Sequence, residues 1–143
     1  MNLSICIITK NEEQNIDRCL KALAPYGLET IVVDTGSTDR SKQIAARYTD
    51  RLYDFPWCDD FSAAKNFAIE KASHSYVLVL DSDEFVEQLD LSALEKQIAA
   101  HPGAVGRIRR RNVFHRNGEE QENRELSLIH ISEPTGQAEI SYA

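Results

Sequence analysis

The sequence predicts an α/β fold in which helices cover both faces of a mostly parallel sheet. Three observations predict it: apolar runs of strand length, helix patterns between them, and turn residues at the junctions. An order of strand, helix and strand is typical of βαβ units. The 143 residues are 42% hydrophobic and 27% charged, which suits one folded domain and excludes a disordered or fibrous chain.

The first strand and helix are the clearest elements. Residues 3–8 are almost continuously apolar, as expected of a strand buried on both faces. The helix that follows has apolar residues at helical spacing on one face, and Pro25 and Gly27 end it. The residues of that face are Ile16, Cys19, Leu20 and Leu23.

The second strand leads into a polar turn. Residues 30–33 form another buried apolar run, which ends at Asp34. Ser37 or Thr38 is expected to cap the next helix, because a side-chain oxygen there accepts from an unpaired backbone N–H. That helix is predicted over residues 40–48.

The rest of the chain continues the alternation and then changes to a hairpin. Further strands are expected at residues 50–55, 76–80 and 105–114, and further helices at 61–72 and 91–100. The core-facing residues expected in the helix over 61–72 are Phe67, Ala68 and Ala72. Asp90 or Ser92 is expected to cap the last helix. Residues 116–118, Arg-Asn-Gly, predict a tight hairpin turn after the last strand.

Charge and composition exclude several classes of function. A net charge of -7 disfavours sequence-independent binding to the phosphates of nucleic acids. No run approaches the roughly 20 apolar residues that cross a bilayer. Three cysteines with no CxxC pair argue against a disulfide framework. We therefore expect a cytoplasmic protein, located either in the bulk cytoplasm or at the inner face of the membrane.

Residues 126–143 are expected to be non-native. Their sequence, LSLIHISEPTGQAEISYA, resembles the conceptual translation of a sequencing-library adapter, with one piece from each end of the adapter in the right order. The alternative is a native strand and loop, because residues 128–131 have β character. On the adapter interpretation, residues 1–125 are the N-terminal part of a longer protein.

Polar residues follow three of the predicted strands at the point where each strand ends. They are Thr9, Asn11 and Glu12 after the first strand, Asp34 after the second, and Asp81 and Asp83 after the fourth. The carboxyl ends of parallel strands form the ligand-binding edge of an open α/β sheet. Taken singly, Asp34 also fits a turn and Asp81 a helix cap. Jointly they favour a cation site, because gathering carboxylates without a cation is electrostatically costly.

The Asp81-Ser82-Asp83 segment suits a hard divalent ion. Mg²⁺ and Mn²⁺ take oxygen ligands, often one or two protein carboxylates with phosphate oxygens and water. A DxD is common by chance in acidic chains, but this one directly follows a strongly apolar strand. Neither a GxGxxG after the first strand nor a GxxxxGK[ST] occurs, so a dinucleotide fingerprint and a P-loop are not supported. Gly36 permits a ligand to approach the backbone closely.

Four blocks of the sequence together resemble the family 2 glycosyltransferases of the GT-A fold. They are SICIITKNEEQNIDRCL, ETIVVDTGSTDRS, FPWCDDFSAAKNFAIEKA and YVLVLDSDEF. The likeness covers residues 3–86 and is closest to bacterial members that often carry tetratricopeptide repeats after the catalytic domain. It implies a Rossmann-like nucleotide-diphospho-sugar transferase fold, of which residues 1–125 form the N-terminal, donor-binding part.

The resemblance also implies roles for individual residues. The implied donor-binding residues are Thr9, Asn11, Glu12, Asp34, Gly36, Ser37, Lys65, Asp81 and Ser82. Asp83, together with Asp81, is implied to hold a divalent metal, Mg²⁺ or Mn²⁺. An equally weighted alternative for Lys65 is a solvated charge on a helix. Trp57 and Phe61 are expected to pack against the core rather than to line the donor pocket.

The implied reaction is inverting transfer of a sugar from a nucleotide-diphosphate-sugar donor to an acceptor, which is a glycan, a lipid-linked molecule or a protein. The family's catalytic base is an Asp or Glu of the second half of the domain. No residue here is assigned to it, since the glutamates within residues 119–125 fit a solvated polar face. The chain is therefore expected to bind donor without transferring sugar.

Two alternatives to the transferase remain open at this point. A nucleotidyltransferase that makes sugar nucleotides needs a glycine-rich, basic loop after the first strand, where this chain has Lys-Asn-Glu-Glu at residues 10–13. A receiver-like module with an acidic pocket needs paired acids after the first strand and a lone Asp after the third, whereas the third predicted strand here ends in Phe-Pro-Trp at residues 55–57.

Overall fold

The computed structural model describes residues 2–100, 106–116 and 119–131. Its strands are β1 (Leu3–Thr9), β2 (Glu29–Asp34), β3 (Leu52–Asp54), β4 (Tyr76–Asp81), β5 (Gly106–Arg116) and β6 (Glu119–Ile131). Its helices are α1 (Ile16–Leu23), α2 (Ser41–Ala45), α3 (Phe61–Lys71) and α4 (Leu91–Ala100), with a 3₁₀ turn at Ala24–Tyr26. The predicted order of strands and helices is confirmed from β1 through β5, whereas the strand β6 was not among the predicted elements. Within the described ranges, no helix is both long and apolar enough to cross a bilayer.

One mixed sheet organises the molecule, with the strand order β3-β2-β1-β4-β6-β5. Strands β1 to β4 are parallel, and β6 joins β4 in the antiparallel direction. The chain moves outward from β1 to β3 and then crosses back to place β4 on the other side of β1. This change of direction makes the carboxyl ends of β1 and β4 the topological switch point of the sheet, the position at which open α/β sheets bind ligands. The predicted α/β class is confirmed.

Alternate residues of the central strands face two separate cores. Ile5 of β1 packs with Leu20 of α1 and Ala45 of α2, and α4 lies at the margin of the same core. Cys6 faces the other side and packs with Ala68 of α3. Each fully buried large aliphatic side chain stabilises the fold by about 1.5–3 kcal/mol. The four predicted inner residues of α1 are all buried, namely Ile16, Cys19, Leu20 and Leu23.

Strands β5 and β6 form the predicted hairpin. Arg116 pairs with Glu119, so a two-residue connection joins the strands, as the sequence indicates. β6 adds to the sheet through three pairs with β4, from Tyr76 with Ile131 to Leu78 with Ile129. Residues 126–131 of β6 belong to the segment expected to be non-native, and their β character accounts for the pairing.

The turn before α2 differs from the expectation. The helix is shorter than residues 40–48, and neither Ser37 nor Thr38 caps it. Arg40 occupies the N-cap position without a side-chain cap, and Oδ1 of the preceding residue, Asp39, accepts from the Ser41 backbone N–H at 2.9 Å. The side chains of Ser37 and Thr38 are instead hydrogen-bonded to Asn11 of the loop after β1. At α4, Asp90 rather than Ser92 caps the helix.

A polar cluster braces the amino-terminal edge of the sheet. Ser4 Oγ is fully buried, donates to Glu29 Oε1 at 3.0 Å and lies 3.0 Å from His74 Nδ1. The Ser73 backbone N–H donates to the same carboxylate at 2.8 Å, and Arg51 Nη1 lies 3.7 Å from Oε2. Burial raises the pKa of Glu29, but these hydrogen bonds and the Arg51 charge outweigh it and hold the pKa below its usual value.

The substitution Glu29→Gln is expected to lower the free energy of unfolding at neutral pH by about 1 kcal/mol, because charge-assisted hydrogen bonds become neutral ones. A carboxyl with a lowered folded-state pKa stabilises the fold above its unfolded pKa and loses that effect as the pH falls through the folded pKa. The difference between the two proteins should therefore shrink below about pH 4. Urea unfolding across this range measures it, with exposed Glu70→Gln as the control; a difference that persists in acid would contradict the prediction.

The non-native origin of residues 126–143 stays a prediction. Long-read sequencing of the source locus tests it directly. We expect the codons after residue 125 to differ from those that encode the present tail. Recovery of the same codons in uninterrupted genomic DNA would contradict the prediction and make the segment native.

Candidate active site

The register of the sheet brings the predicted rim residues to one edge. Thr9 pairs with Asp34, and Ile8, one residue before Thr9, pairs with Asp81. Neighbouring strands are spaced about 4.8 Å apart, so the backbones at Asp34 and Asp81 lie about 10 Å apart across β1. Asp54 extends the same edge beyond Asp34. The carboxylates expected to converge at the carboxyl ends of the strands do so.

Asp34 is the most buried carboxylate of the rim, with 1% of its surface exposed. Its Oδ1 accepts hydrogen bonds from the backbone N–H groups of Gly36 at 2.9 Å and Ser37 at 2.8 Å. Gly36 has φ +114°, which side-chain-bearing residues rarely adopt, so this turn needs glycine. Asp34 Oδ2 is buried and has no hydrogen-bond partner in the described part of the chain. Because buried polar atoms are normally paired, Oδ2 is available to an N–H group of a ligand.

Thr9 lies beside Asp34 and, like it, has a buried side-chain oxygen without a hydrogen-bond partner among the described residues. It is 2% exposed, and its buried Oγ1 also lacks a partner within the described ranges. Its carbonyl oxygen accepts from the Thr35 backbone N–H at 3.0 Å, which fixes the turn after β2 against the end of β1. The adjacent ends of β1 and β2 therefore hold two buried oxygen atoms with unused hydrogen-bonding capacity.

The loop after β1 is locked to the turn after β2. The Asn11 backbone N–H donates to Ser37 Oγ at 2.9 Å, and Asn11 Oδ1 accepts from the Thr38 backbone N–H at 2.8 Å. The Glu12 backbone N–H donates to Ser41 Oγ at 2.8 Å. The side chains of Asn11 and Ser37, implied to bind donor, thus shape the loop by bonding to each other's segments.

The loop after β4 carries the DxD segment. Asp81 and Asp83 are exposed, whereas Ser82 between them is 4% exposed. Glu84 folds back, and its Oε1 accepts from the Asp81 backbone N–H at 2.9 Å. No group of three or more metal-ligating side chains exists among the described residues. Two exposed carboxylates still fit Mg²⁺ or Mn²⁺, which often take one or two protein carboxylates and complete their ligands with phosphate oxygens and water.

Lys65 is buried on α3, with 5% of its surface exposed. Its Nζ lies 4.5 Å from the centroid of the Phe61 ring. Burial lowers the pKa of Lys65, and the charges of Asp81 and Glu84 oppose that effect. This position contradicts the alternative of a solvated helix charge. A buried ammonium that feels the carboxylates of the β4 loop is suited to attract phosphate oxygens at the same edge.

Trp57 and Phe61 do not pack against the core as expected. Their side chains are 42% and 41% exposed. The core-facing side of α3 is filled by its small and aliphatic residues, including Ala64 and Ala68, and Pro56 follows the short strand β3 as the chain leaves the sheet. The segment between β3 and α3 therefore carries both aromatic rings at the surface.

Three residues of the site were not predicted. Asp39 accepts from the Glu13 backbone N–H at 3.2 Å, and Ser41 joins Asp39 to the loop after β1. Glu84 supports the backbone of Asp81. An Asp two residues before a helix is a recognisable capping signal, so Asp39 was within reach of sequence reasoning. The role of Glu84 depends on the path of the loop, for which the sequence holds no signal.

Comparisons with known proteins agree with this geometry. A family model described as Glycosyl transferase family 2 matches residues 4–140. The lipopolysaccharide core biosynthesis glycosyltransferase LpsC of Rhizobium meliloti is 32% identical over 137 residues, which cover 89% of this chain and 50% of that protein. A TPR repeat-containing protein of Synechococcus elongatus is 44% identical over 82 residues, which cover 57% of this chain and 20% of that protein. The chain spans half or less of the length of these relatives.

Solved structures show the same architecture. Residues 1–349 of TarS from S. aureus, in complex with UDP, match with a TM-score of 0.62 and 28% identity, over 73% of this chain and 34% of that chain. Glucosyl-3-phosphoglycerate synthase from Mycobacterium tuberculosis matches with a TM-score of 0.53 and 24% identity, over 58% of this chain and 34% of that chain. The second likeness shows a shared fold. The predicted GT-A type of fold is confirmed.

Replacement of Asn11 tests the locked loop. Asn11 has φ +52°, so Asn11→Ala should lose the bond to Thr38 and strain the backbone, lowering the free energy of unfolding by about 2 kcal/mol. Asn11→Gly also loses this hydrogen bond, but glycine adopts the left-handed backbone without strain. The free energy of unfolding should therefore fall by only about 1 kcal/mol. Urea unfolding measures both, and equal losses in the two variants would show that the left-handed backbone at this position carries no cost.

Proposed function

The chain belongs to glycosyl transferase family 2, and from this premise we propose that it forms the donor-binding part of an inverting glycosyltransferase. Its substrate is a nucleotide-diphosphate sugar, and the acceptor is a glycan, a lipid-linked molecule or a protein. One observation carries the proposal: the buried, unpartnered Oδ2 of Asp34 shares an edge of the sheet with the exposed carboxylates of Asp81 and Asp83.

The rim suits a nucleotide at one end and a diphosphate at the other. Asp34 Oδ2 accepts from an N–H on the edge of the base, and Thr9 Oγ1 lies beside it. Asp81 and Ser82 then lie near the ribose and the donor sugar. TarS, which shares 28% identity with this chain, was solved with UDP, and this supports a uridine nucleotide as the first donor to test.

The residues of the β4 loop fit a divalent metal, and we propose that Asp83 and Asp81 hold it. When bound, the ion supplies Lewis-acid neutralisation of the negative charge that grows on the departing diphosphate. Lys65 adds a fixed positive group on the α3 side of the same edge. These residues bind and orient the donor, and they stabilise the leaving group.

Transfer forms a bond between an acceptor oxygen and the anomeric carbon, and it breaks the bond from that carbon to the diphosphate. The acceptor proton must pass to a general base in line with the leaving group. None of the rim residues is assigned to this step, because each is engaged in the donor site. We therefore propose that the chain binds donor without transferring sugar. Membership of glycosyl transferase family 2 favours this proposal over a nucleotidyltransferase or a receiver-like module.

The substitution Asp83→Ala tests the metal site. We expect the affinity for UDP in the presence of Mg²⁺ to fall about tenfold or more, because the carboxylate that holds the ion is lost. Affinity without metal should be unchanged. Isothermal titration calorimetry measures both, with exposed Asp50→Ala at the opposite edge of the sheet as the control. Equal metal-dependent affinity in Asp83→Ala and the wild type would remove Asp83 from the site.

The substitution Asp34→Asn tests the base site separately. The variant replaces the free carboxylate oxygen with a neutral amide group, so UDP affinity should fall about tenfold. The fall should be the same with and without Mg²⁺, since the base site does not use the metal. Calorimetry measures the affinity and circular dichroism checks the fold. A loss that appears only with metal would place Asp34 with the diphosphate instead.

A further inference from the structure

The loop between β4 and α4 is held against α1 and the 3₁₀ turn that follows α1. The guanidinium carbon of Arg18 lies 4.6 Å from the centroid of the exposed Phe85 ring. The Leu89 backbone N–H donates to Tyr26 Oη at 3.1 Å. Between these two contacts, Val86 packs against the core that contains the inner residues of α1. Three contacts therefore fix this loop directly after the DxD segment.

These contacts lie next to the carboxylates of the DxD segment. Phe85 follows Asp83 by two residues, and two residues span at most about 7 Å. The segment is also close enough to α1 for its charges to act on the buried Cys19 thiol. Burial raises the pKa of Cys19 to about 12, and the charges of Glu84, Asp83 and Asp81 contribute to the rise. The position of Asp83 therefore depends on contacts with α1.

The start of α1 adjoins the loop after β1, at the other end of the rim. The Ile16 backbone N–H donates to the Glu12 carbonyl at 2.8 Å, and Asn15 Nδ2 donates to Glu12 Oε2 at 2.8 Å. Glu12 belongs to the loop that is locked to the turn after β2. The eight residues of α1 span about 12 Å. This helix thus connects the proposed nucleotide end of the rim with the DxD segment.

We propose that Arg18 and Tyr26 are positioning residues for the metal-holding loop: they keep Asp83 where a divalent ion needs it, without touching the ion or the nucleotide. This proposal rests on the proposed function. Groups that orient a ligating carboxylate affect metal affinity, because an ion needs its ligands at nearly fixed distances and directions. A loop released from α1 must be ordered again when the donor binds, and that cost weakens metal-dependent binding.

The substitution Tyr26→Phe tests the hydrogen bond to Leu89 with a small change, since it removes one hydroxyl and keeps the ring. The affinity for UDP in Mg²⁺ should fall about fivefold, whereas the affinity in excess EDTA should be unchanged. Isothermal titration calorimetry measures both. Tyr48→Phe is the matched control, because the Tyr48 hydroxyl donates to Asp17 of the same helix from the segment after α2. In this control both UDP affinities should equal those of the wild type.

Arg18 offers an independent pair of variants. Arg18→Gln loses the cation over the Phe85 ring, so the affinity for UDP in Mg²⁺ should fall about threefold. Arg18→Lys keeps a cation there and should retain the wild-type affinity. The sign of the change is informative, because loss of a positive charge near a metal site would by itself favour the ion.

A double variant separates positioning of the metal-holding loop from general stability. Tyr26→Phe should add no further loss of UDP affinity in Mg²⁺ to Asp83→Ala, because the contact acts through a carboxylate that is already absent. Two residues that act independently would instead multiply their losses.

Several results would overturn the proposal. They are wild-type affinity of Tyr26→Phe in Mg²⁺, an equal loss in EDTA, an equal loss in Tyr48→Phe, a gain of affinity in Arg18→Gln, and multiplied losses in the double variant. A wild-type chain that binds UDP equally well with and without Mg²⁺, or that binds no UDP, would refute the proposed function and the positioning role with it.

Discussion

The site depends on one constraint, the burial of the Asp34 carboxylate. This group is 1% exposed, and only one of its two oxygens has a hydrogen-bond partner among the described residues. Removing Asp34 from water is costly unless its oxygens are paired. The turn after β2 meets part of that cost by aiming two backbone N–H groups at Oδ1, which the left-handed backbone of Gly36 makes possible. The other oxygen remains an unpaired acceptor, and a ligand that donates to it gains more than the same ligand would gain from an exposed carboxylate.

The sheet supplies the rigidity that this arrangement needs. β1 lies between β2 and β4, so the ends of all three strands are fixed by backbone hydrogen bonds on both sides of the central strand. At the opposite edge, Ser4, Glu29 and His74 tie the starts of the strands together. Polar side chains thus stabilise the amino-terminal edge by pairing with each other, while the carboxyl edge retains unpaired oxygens. The amino-terminal edge thus contributes to stability, whereas the carboxyl edge carries the candidate site.

Sequence reasoning recovered the strands and the rim because both depend on local pattern. Continuous apolar runs identify strands buried on both faces, and the residue after each run must lie at the carboxyl edge. The loops were harder to predict because their hydrogen bonds join residues far apart in the chain. The Thr38 hydroxyl, for example, donates to Asn11 rather than capping α2 as expected. The exposure of Trp57 was missed for a similar reason, since it depends on how short β3 is. Apolar character alone did not distinguish an aromatic residue that fills a core from one that is exposed at the surface.

The charge of the molecule also limits how it can bind. A chain with net charge -7 repels a diphosphate over its surface as a whole, so attraction must come from local positive groups. Lys65 is one such group, and its burial weakens the screening of its charge by water. Asp81 and Glu84 counter that charge in the free protein. On the proposed function, a divalent ion held by the exposed carboxylates would change that balance, because it offsets two of the three negative charges of Asp81, Asp83 and Glu84 and leaves more of the Lys65 charge to act on the diphosphate. The proposed function therefore requires the metal at this acidic rim, because without its charge the rim repels the diphosphate that it is proposed to bind.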